Sequence, residues 1–389
     1  MDQLSVGVVK ETAPRERRVA LDPDGVGRVI AAGCAVVVQA GAGDGSWFSD
    51  SAYTDAGATI ATDAAGLAAA SVLLCVRPPA PEIVNTLRDG QVLIGLLGLL
   101  SDHDLARTLA GRDVTAISLE GLPRTLSRAQ GMDALSSQAN VAGYRSVLLA
   151  ADVFRRYFPM MVTAAGTARP AEVLILGAGV AGLQAIGTAR RLGAQVRAFD
   201  VRPDSRSEVL SLGASFLDIE SVTAAAGEGG YARALTDEEQ AALVDELATH
   251  VNRHDIVITT AQVPGRTPPL LVSAAAVDSM RAGSVVVDAA SSPLGGNVAV
   301  SRPGETIVTS NGVTVIGADD LPSMASTSAS AAYSRNIGAL LLHLLADGQI
   351  GIDLSDEIQA GVVMTHDGAV VHPMVAAGVA ALSTTPGHS

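Results

Sequence analysis

Short runs rich in valine, isoleucine and leucine alternate with alanine-rich stretches along most of the chain. A strand of a parallel sheet is buried on both faces and reads as a continuous apolar run. The alternation therefore predicts an α/β fold in which helices cover parallel sheets. The strands predicted in the first third of the chain lie at 6–9, 35–41, 71–76, 92–97 and 114–119.

A second series of strands follows the alanine-rich segment 134–153. Because strands and helices begin to alternate anew there, we expect two Rossmann-like, doubly wound parallel sheets. The strands of the second series are predicted at 172–177, 195–200, 215–219, 255–260, 284–290 and 313–318.

The C-terminal segment predicts a long helix at about 326–347 and then a β-hairpin. In "GVVMTHDGAVVHP" a His-Asp-Gly turn separates two short apolar runs, which is typical of a hairpin. Nothing in this segment begins a third core, so we expect it to return to the first domain. The predicted domains are residues 1–136 together with about 328–382, and residues 137–327.

Length and charge narrow the classes of protein that fit. The chain has 389 residues, 48% of them hydrophobic, and a formal net charge of −14. This length allows two domains, each with its own core. The arginines are scattered and the net charge would repel a phosphate backbone, so we expect no nucleic-acid partner.

Cysteine and apolar patterns bear on metals and membranes. Cys34 and Cys75 lie far apart without C-x-x-C spacing, so neither a disulfide framework nor a metal site is predicted. The N-terminus lacks the apolar core of a signal peptide, and the most apolar runs are shorter than the roughly 20 residues of a membrane span. We expect a soluble, cytoplasmic protein.

The segment "EVLILGAGVAGLQAIGTARRLGAQVRAFDVRP" has the order of a dinucleotide-binding motif: strand, G-x-G-x-x-G, helix, strand and acidic residue. Gly177 permits a tight turn, Gly179 lets the backbone approach a pyrophosphate, and Gly182 lets the helix pack closely on its strand. Asp200 ends the second strand, where its carboxylate can accept both hydroxyls of the adenosine ribose. The motif predicts that the second domain binds a dinucleotide.

Asp200 and Arg202 make opposite predictions about which dinucleotide binds. A carboxylate repels a 2′-phosphate, so Asp200 favours NAD(H) over NADP(H). Arginine is the usual partner of a 2′-phosphate, and Arg202 lies on the same strand face if the strand continues. We expect NAD(H), with Arg202 as the residue that could reverse the preference.

With this motif in place, four segments closely resemble the NAD(H)-binding component (domain I, the alpha subunit) of proton-translocating nicotinamide nucleotide transhydrogenase. They are "RTLSRAQGMDALSSQANVAGY", "FPMMVTAAGTARPAEVLILGAGVAGLQAIGTARRLGA", "GEGGYARAL" and "DIVITTAQVPGR". The resemblance covers about residues 5–375. It implies two Rossmann-like domains joined by long helices, and a homodimer.

The resemblance also implies an activity and partners. In this family hydride passes directly from NADH to NADP+ held by a separate component, and a transmembrane component couples the transfer to proton translocation. NADP(H) then binds the partner, and this chain reaches the inner face of the membrane only through partner subunits. The residues expected to bind NAD(H) are Gly177, Ala178, Gly179, Val180, Gly182, Asp200, Val201, Arg202, Gly230 and Ala261.

A polar stretch before the second domain matches a family loop that closes on the nicotinamide. The matching residues are Arg124, Gln130, Asp133 and Ser136, and Tyr231 matches a second, mobile loop. Amide, carboxylate, guanidinium and hydroxyl groups can satisfy a carboxamide and a ribose while fixing the ring orientation. Two alternatives stay open. Arg128 could replace Arg124, and Asp133 could serve only to cap the following helix.

Alanine dehydrogenase is a relative with the same plan, and "VGVVKETAPRERRVAL" resembles it as well. Oxidation of an amine needs a general acid/base, whereas hydride transfer between two nicotinamides does not. Arg18 matches a substrate-binding arginine of the alanine enzymes. However, Arg77 is the only cation near their lysine position, Gly98 replaces their histidine, and His103 lies a turn beyond. This chemistry is disfavoured.

A third possibility is a non-catalytic NAD(H)-binding or regulatory subunit. Transhydrogenases usually have an acidic residue shortly before the Gly-Gly-Asn that follows the "VVD" strand. Here the segment reads "VVVDAASSPLGGN". This departure keeps the possibility of an inactive relative open, because a fold does not fix a function.

Overall fold

The computed structural model describes residues 3–219, 235–262 and 265–384. Its strands are β1 Ser5–Val8, β2 Ala35–Gln39, β3 Thr59–Ala61, β4 Val72–Leu74, β5 Val92–Gly95, β6 Thr115–Ser118, β7 Met161–Thr163, β8 Gly166–Ala168, β9 Glu172–Leu176, β10 Gln195–Phe199, β11 Ser215–Phe216, β12 Ile256–Thr259, β13 Val285–Asp288, β14 Thr306–Val308, β15 Thr314–Gly317, β16 Leu345–Ala346, β17 Gln349–Ile350, β18 Val363–His366 and β19 Ala369–Val370.

The α-helices are α1 Pro23–Ala31, α2 Asp50–Asp55, α3 Ala64–Ala68, α4 Pro81–Thr86, α5 His103–Gly111, α6 Ala134–Val153, α7 Val180–Arg191, α8 Ser205–Ser211, α9 Asp237–Val251, α10 Ala274–Asp278, α11 Ser326–Leu344, α12 Glu357–Val362 and α13 Pro373–Thr384. Within the described ranges, no helix combines the length and the apolar character that crossing a membrane requires. The α/β class predicted from the alternating runs is confirmed.

The chain separates into two compact units. The first unit ends at Gln138 and resumes at Ser323, and the second unit is Ala139–Pro322. The sheet of the first unit has the strand order β19-β18-β6-β5-β4-β1-β2-β3, with β18 and β19 antiparallel. The turn between these two strands carries Asp367 and Gly368 at φ 48° and 71°, as a tight hairpin requires.

Both faces of the first sheet are covered by apolar residues. Val72 and Leu74 of β4 belong to one buried cluster, and Leu73 between them belongs to the other. Strand β1 lies between β2 and β4, so the strand order reverses there. In open α/β sheets this reversal leaves a crevice at the carboxyl ends of the strands.

The second unit repeats the plan with the strand order β11-β10-β9-β12-β13-β15-β14, in which only β14 is antiparallel. Val173 and Ile175 of β9 face one core, whereas Leu174 and Leu176 face the other. Strands β9 and β12 flank the point where the order reverses. The glycine motif follows β9 directly, so this unit has its candidate site where doubly wound sheets bind ligands.

Candidate dinucleotide site

The turn after β9 depends on glycine for two different reasons. Gly177 has φ 99°, a conformation that other residues rarely adopt. A Cβ on Gly182 would overlap the carbonyl oxygen of Gly177, so only glycine lets α7 start this close to the strand. The hydroxyl of Thr260 donates to the same carbonyl at 2.9 Å and ties the turn to the end of β12.

Gly179 differs from Gly177 and Gly182, because a side chain at this position would have space around it. Its backbone is extended, and a Cβ there would find only Nη2 of Arg202, at 3.8 Å. The space outside this glycine can therefore admit a ligand to the first N–H groups of α7, which is where a pyrophosphate would fit. Ala178 is buried within the turn, and Val180 begins the helix half-buried.

Asp200 lies at the end of β10 and accepts four hydrogen bonds. Oδ1 accepts from the backbone N–H of Arg202 at 2.9 Å and from its Nε at 2.9 Å. Oδ2 accepts from the N–H of Ala178 at 2.7 Å and from Nη2 of Arg202 at 3.0 Å. The structure thus joins the turn, the acidic residue and the arginine, and the bond with Asp200 raises the pKa of Arg202.

A cleft of about 240 Å³ opens beside Asp200. Its walls include Val201 together with Phe216, which ends the neighbouring strand β11, and Leu217 and Ile219, which follow that strand. Apolar walls next to a carboxylate suit a flat heterocycle whose attached sugar carries hydroxyl groups.

The sequence did not assign a role to Asp288 or Asn297. Asn297 accepts from the N–H of Ala261 at 3.0 Å and donates to its carbonyl at 2.9 Å, so it fixes the backbone after β12. Asp288 is fully buried and accepts from the N–H groups of Asn297 and Val298 at 3.3 and 3.1 Å. The "VVVD" strand and Gly-Gly-Asn were visible in the sequence, but their contact was not.

The Ser-Pro-Leu segment before Gly-Gly-Asn forms a turn. The N–H of Ser292 donates to the carbonyl of Gly295 at 2.8 Å, and the N–H of Gly295 donates back at 2.9 Å. The Asn297 contacts with Ala261 form beside this altered turn. The substituted residues thus leave the backbone after β12 held in place.

In the first unit, three residues of the polar stretch form one cluster. Arg124 Nε donates to Asp133 Oδ2 at 3.1 Å, and the Ser136 hydroxyl donates to the same oxygen at 2.6 Å. Asp133 Oδ1 also accepts from the N–H of Ser136 at 2.8 Å, which caps helix α6. Gln130 is exposed on the preceding 3₁₀ turn.

Arg128 lies with other partners. Its Nη2 donates to Asp356 at 3.4 Å and to Glu357 at 3.3 Å, at the start of α12. Of the two arginines considered for this loop, Arg124 is therefore the one beside Asp133.

The reversal point of the first sheet holds an ionic cluster. Arg18 is only 5% exposed, and its Nε and Nη2 donate to the two oxygens of Glu16 at 2.8 and 2.6 Å. Its Nη1 donates to Gln138 at 2.9 Å. Arg77 reaches Glu16 as well, at 2.7 Å. Although burial opposes it, hydrogen bonding and the charge of Arg18 lower the pKa of Glu16.

Glu11 lies beside this cluster and accepts from the N–H of Val76 at 2.6 Å and of Arg77 at 3.3 Å, at the end of β4. Burial raises the pKa of Glu11 to about 7. The backbone N–H of Gly98 donates to Oε1 of Glu120 at 2.9 Å. His103 begins helix α5.

Two expected site residues, Gly230 and Tyr231, lie outside the described residues. Among the residues that the structure does describe, no group of three or more His, Cys, Asp or Glu side chains is arranged to hold a metal ion.

The fold and the second unit define a protein with two α/β units, one of them a Rossmann-type nucleotide-binding sheet. The chain belongs to the alanine dehydrogenase/PNT family: the N-terminal domain of that family matches residues 7–142, and the C-terminal domain matches residues 146–373. The protein is therefore related to oxidoreductases such as alanine dehydrogenase.

Relatives of two kinds stand out. The chain is 42% identical over 380 residues to the Rhodospirillum rubrum protein that forms the first portion of NAD(P) transhydrogenase subunit alpha, covering 95% of this chain and 98% of that protein. The crystal structure of transhydrogenase from Sinorhizobium meliloti has a TM-score of 0.82 at 39% identity, over 95% and 99% of the two chains. A structure of L-alanine dehydrogenase has the same TM-score of 0.82 at 27% identity, over 97% and 100%.

Proposed function

We propose that this chain is the NAD(H)-binding component of a proton-translocating transhydrogenase. The observation that carries the proposal is the turn after β9, where Gly179 is open outward and Asp200 ends the next strand. The transhydrogenase relatives support it through identity over nearly the whole chain. In this role the cofactor supplies a hydride, which passes to NADP+ on a partner component.

The residues of this chain have separate tasks in the proposal. The turn at Gly177–Gly179 and the start of α7 hold the pyrophosphate, Asp200 takes the adenosine ribose, and the cleft beside Val201 takes the adenine. Gln130, Asp133 and Ser136, with Arg124 behind Asp133, orient the nicotinamide and its ribose. Orientation of the nicotinamide is the main catalytic task, because hydride transfer between two nicotinamides needs no side chain that donates or accepts a proton.

The rest of the assembly follows the same proposal. The chain acts as a homodimer in the cytoplasm and lies at the inner face of the membrane through a transmembrane partner, which couples hydride transfer to proton translocation. A partner component holds NADP(H). The alpha-subunit names of the relatives support a place within a larger complex.

Alanine dehydrogenase activity is the less favoured candidate. Such chemistry needs a cation free to bind a substrate carboxylate and a general acid/base beside it. Arg18 donates from three of its nitrogen atoms to Glu16 and Gln138 inside the first unit, and Gly98 provides no side chain for proton transfer. An inactive NAD(H)-binding relative is the remaining alternative.

Cofactor preference tests the binding half of the proposal. A carboxylate about 4 Å from a 2′-phosphate costs on the order of 1 to 4 kcal/mol, equivalent to a roughly ten- to thousandfold loss of affinity. We expect isothermal titration to give a lower Kd for NADH than for NADPH by at least about tenfold. Equal or reversed affinities would mean that Asp200 does not select the cofactor.

A further inference from the structure

The carboxylate of Asp200 is saturated by donors from its own chain. A carboxylate offers about four acceptor positions. In Asp200 two are taken by the backbone N–H groups of Ala178 and Arg202, at 2.7 and 2.9 Å. The guanidinium of Arg202 takes the other two, one on each oxygen, at 2.9 and 3.0 Å.

The two backbone bonds are fixed by the fold, whereas the side-chain bonds are replaceable. Ala178 and Arg202 donate from backbone segments that the turn and the strand end hold in place. The guanidinium stands on a flexible side chain that is 28% exposed. A vicinal diol also presents two donors, one for each oxygen of a carboxylate. The positions that the guanidinium occupies are therefore the two that a ribose would need.

We propose that the side chain of Arg202 is a placeholder for the adenosine ribose, one that must leave Asp200 before a dinucleotide can bind. The inference rests on the proposed function and adds a step that sets affinity and selectivity. Asp200 is only 9% exposed, and an ionised carboxylate left there without donors would be costly. The arginine removes this cost in the free protein, and the ribose removes it in the complex.

The exchange also explains how an arginine at this position is compatible with a preference for NAD(H). A ribose with free hydroxyls supplies the donors that Asp200 loses when Arg202 leaves. A 2′-phosphorylated ribose keeps only its 3′-hydroxyl as a donor, so if Arg202 left, one oxygen of Asp200 would face a second anion. Arg202 must therefore leave Asp200 for a ribose diol, which replaces its donors, whereas a 2′-phosphate binds better while Arg202 stays and neutralises Asp200.

Nη2 of Arg202 lies 3.8 Å from the side-chain position of Gly179, beside the turn proposed to take the pyrophosphate. After leaving Asp200 the guanidinium would still be near these phosphates. Removing Arg202 thus has opposing effects on NADH, which contains phosphates. Adenosine isolates the exchange, because it has the diol and no charge.

The experiment compares wild type with Arg202→Ala and Arg202→Lys by isothermal titration with adenosine, 2′-AMP and NADH. Arg281→Ala is the matched control, since Arg281 pairs with the buried Asp255 and neither residue lines the cleft beside Asp200. We expect Arg202→Ala to bind adenosine about three- to tenfold more tightly, as the loss of a partly exposed ion pair allows. The single ammonium of Arg202→Lys should give a smaller gain, and Arg281→Ala none.

Two further readouts give the exchange a distinct signature. Arg202→Ala should bind 2′-AMP more weakly than wild type, opposite to adenosine. Raising the salt from about 0.05 to 0.5 M should strengthen adenosine binding to wild type by screening the ion pair, and should leave Arg202→Ala unchanged. Circular dichroism checks that each variant is folded.

The outcomes separate the inference from the function beneath it. If wild type binds NADH and Arg202→Ala binds adenosine no more tightly, the placeholder inference is wrong and NAD(H) binding stands. An equal gain in Arg281→Ala would show a general effect of charge and would also overturn the inference. If no variant binds NADH or adenosine, the proposed function itself fails.

Discussion

Asp133 combines a structural and a proposed functional role in one side chain. One oxygen caps α6 through Ser136, and the other accepts from Arg124 and from the Ser136 hydroxyl. The two interpretations left open by the sequence are therefore compatible. They can be separated by a change that keeps the cap and removes the charge.

Asp133→Asn is that change, because asparagine caps helices about as well as aspartate. We expect it to slow single-turnover hydride transfer by about tenfold or more while changing the NADH Kd by less than about threefold. Gln130→Ala should behave similarly. Rapid quench with a cognate NADP(H)-binding component measures the rate, and calorimetry measures the Kd.

Asp102→Asn is the control, since Asp102 caps α5 through Leu105 at 2.9 Å in the same manner. It should alter neither quantity. Losses of equal size in binding and transfer for Asp133→Asn would make this loop an ordinary part of the binding site.

Glu11 makes the stability of the first unit depend on pH. Its pKa is raised by burial from 4.5 to about 7, so the folded state retains a proton that the unfolded state has lost between these values. Stability is therefore lost as the pH rises through this window. The pKa of Glu16 is lowered, so its contribution is lost only under more acidic conditions.

Glu11→Gln should remove this dependence. Between pH 5.5 and 8.5 we expect wild type to lose about 2 kcal/mol of unfolding free energy relative to the variant. Urea unfolding at several pH values measures the difference. Glu82→Gln, at an exposed position of α4, is the control and should follow wild type. Parallel curves for wild type and Glu11→Gln would show that Glu11 does not titrate in this range.

At the scale of elements, the contact between β9 and α7 divides the glycines of the motif into two kinds. Gly182 faces protein backbone, whereas Gly179 faces outward. A side chain should therefore have different consequences at the two positions, although both belong to one G-x-G-x-x-G motif.

Gly179→Val should abolish measurable NADH binding and leave the melting temperature within a few degrees of wild type, because its side chain enters only the proposed phosphate space. Gly182→Ala should lower the melting temperature, since the start of α7 must move off the strand. Gly187→Ala is the control in the same helix, where a Cβ meets only Arg191 at 3.9 Å. Unchanged NADH affinity in Gly179→Val would contradict the assignment of the turn.

The strands that the sequence predicted are those that are buried on both faces and therefore consist mainly of consecutive apolar residues. The interior strands β4, β5, β9, β12 and β13 fall within the predicted ranges because both of their faces are covered. Strands β3 and β14 escaped prediction because they are three-residue sheet edges, and β7 and β8 because their residues are mostly exposed.

The candidate site divides in the same way. Gly179 and Asp200 follow from local spacing within one strand-turn-helix unit. The contacts of Asn297 with Ala261 and of Glu11 with Val76 join residues far apart in the chain, so no local pattern contains them. The pairing of Asp200 with Arg202 was also hidden, because two neighbouring charges do not reveal whether they bind each other or a ligand.

At the scale of the whole molecule, both sheets have a reversal point, and the two differ in chemistry. In the second unit the point is lined by backbone N–H groups and by the ion pair of Asp200 with Arg202, and a cleft opens beside Asp200. In the first unit it is occupied by the ion pairs of Glu16 with Arg18 and Arg77. The dinucleotide site is therefore proposed in the second unit.

The most direct test is transfer of a label between nucleotides. NADH deuterated at the transferring position of C4 is mixed with NADP+, this chain and the NADP(H)-binding component of a transhydrogenase, and the separated nucleotides are analysed by mass spectrometry. Separation is needed because NADH and NADPH absorb alike. We predict that deuterium appears in NADPH only when both proteins are present, without exchange into water. Tight NADH binding with no label in NADPH would contradict the account and indicate an inactive relative, and NADH formation from NAD+ and alanine would indicate the amino-acid oxidoreductase instead.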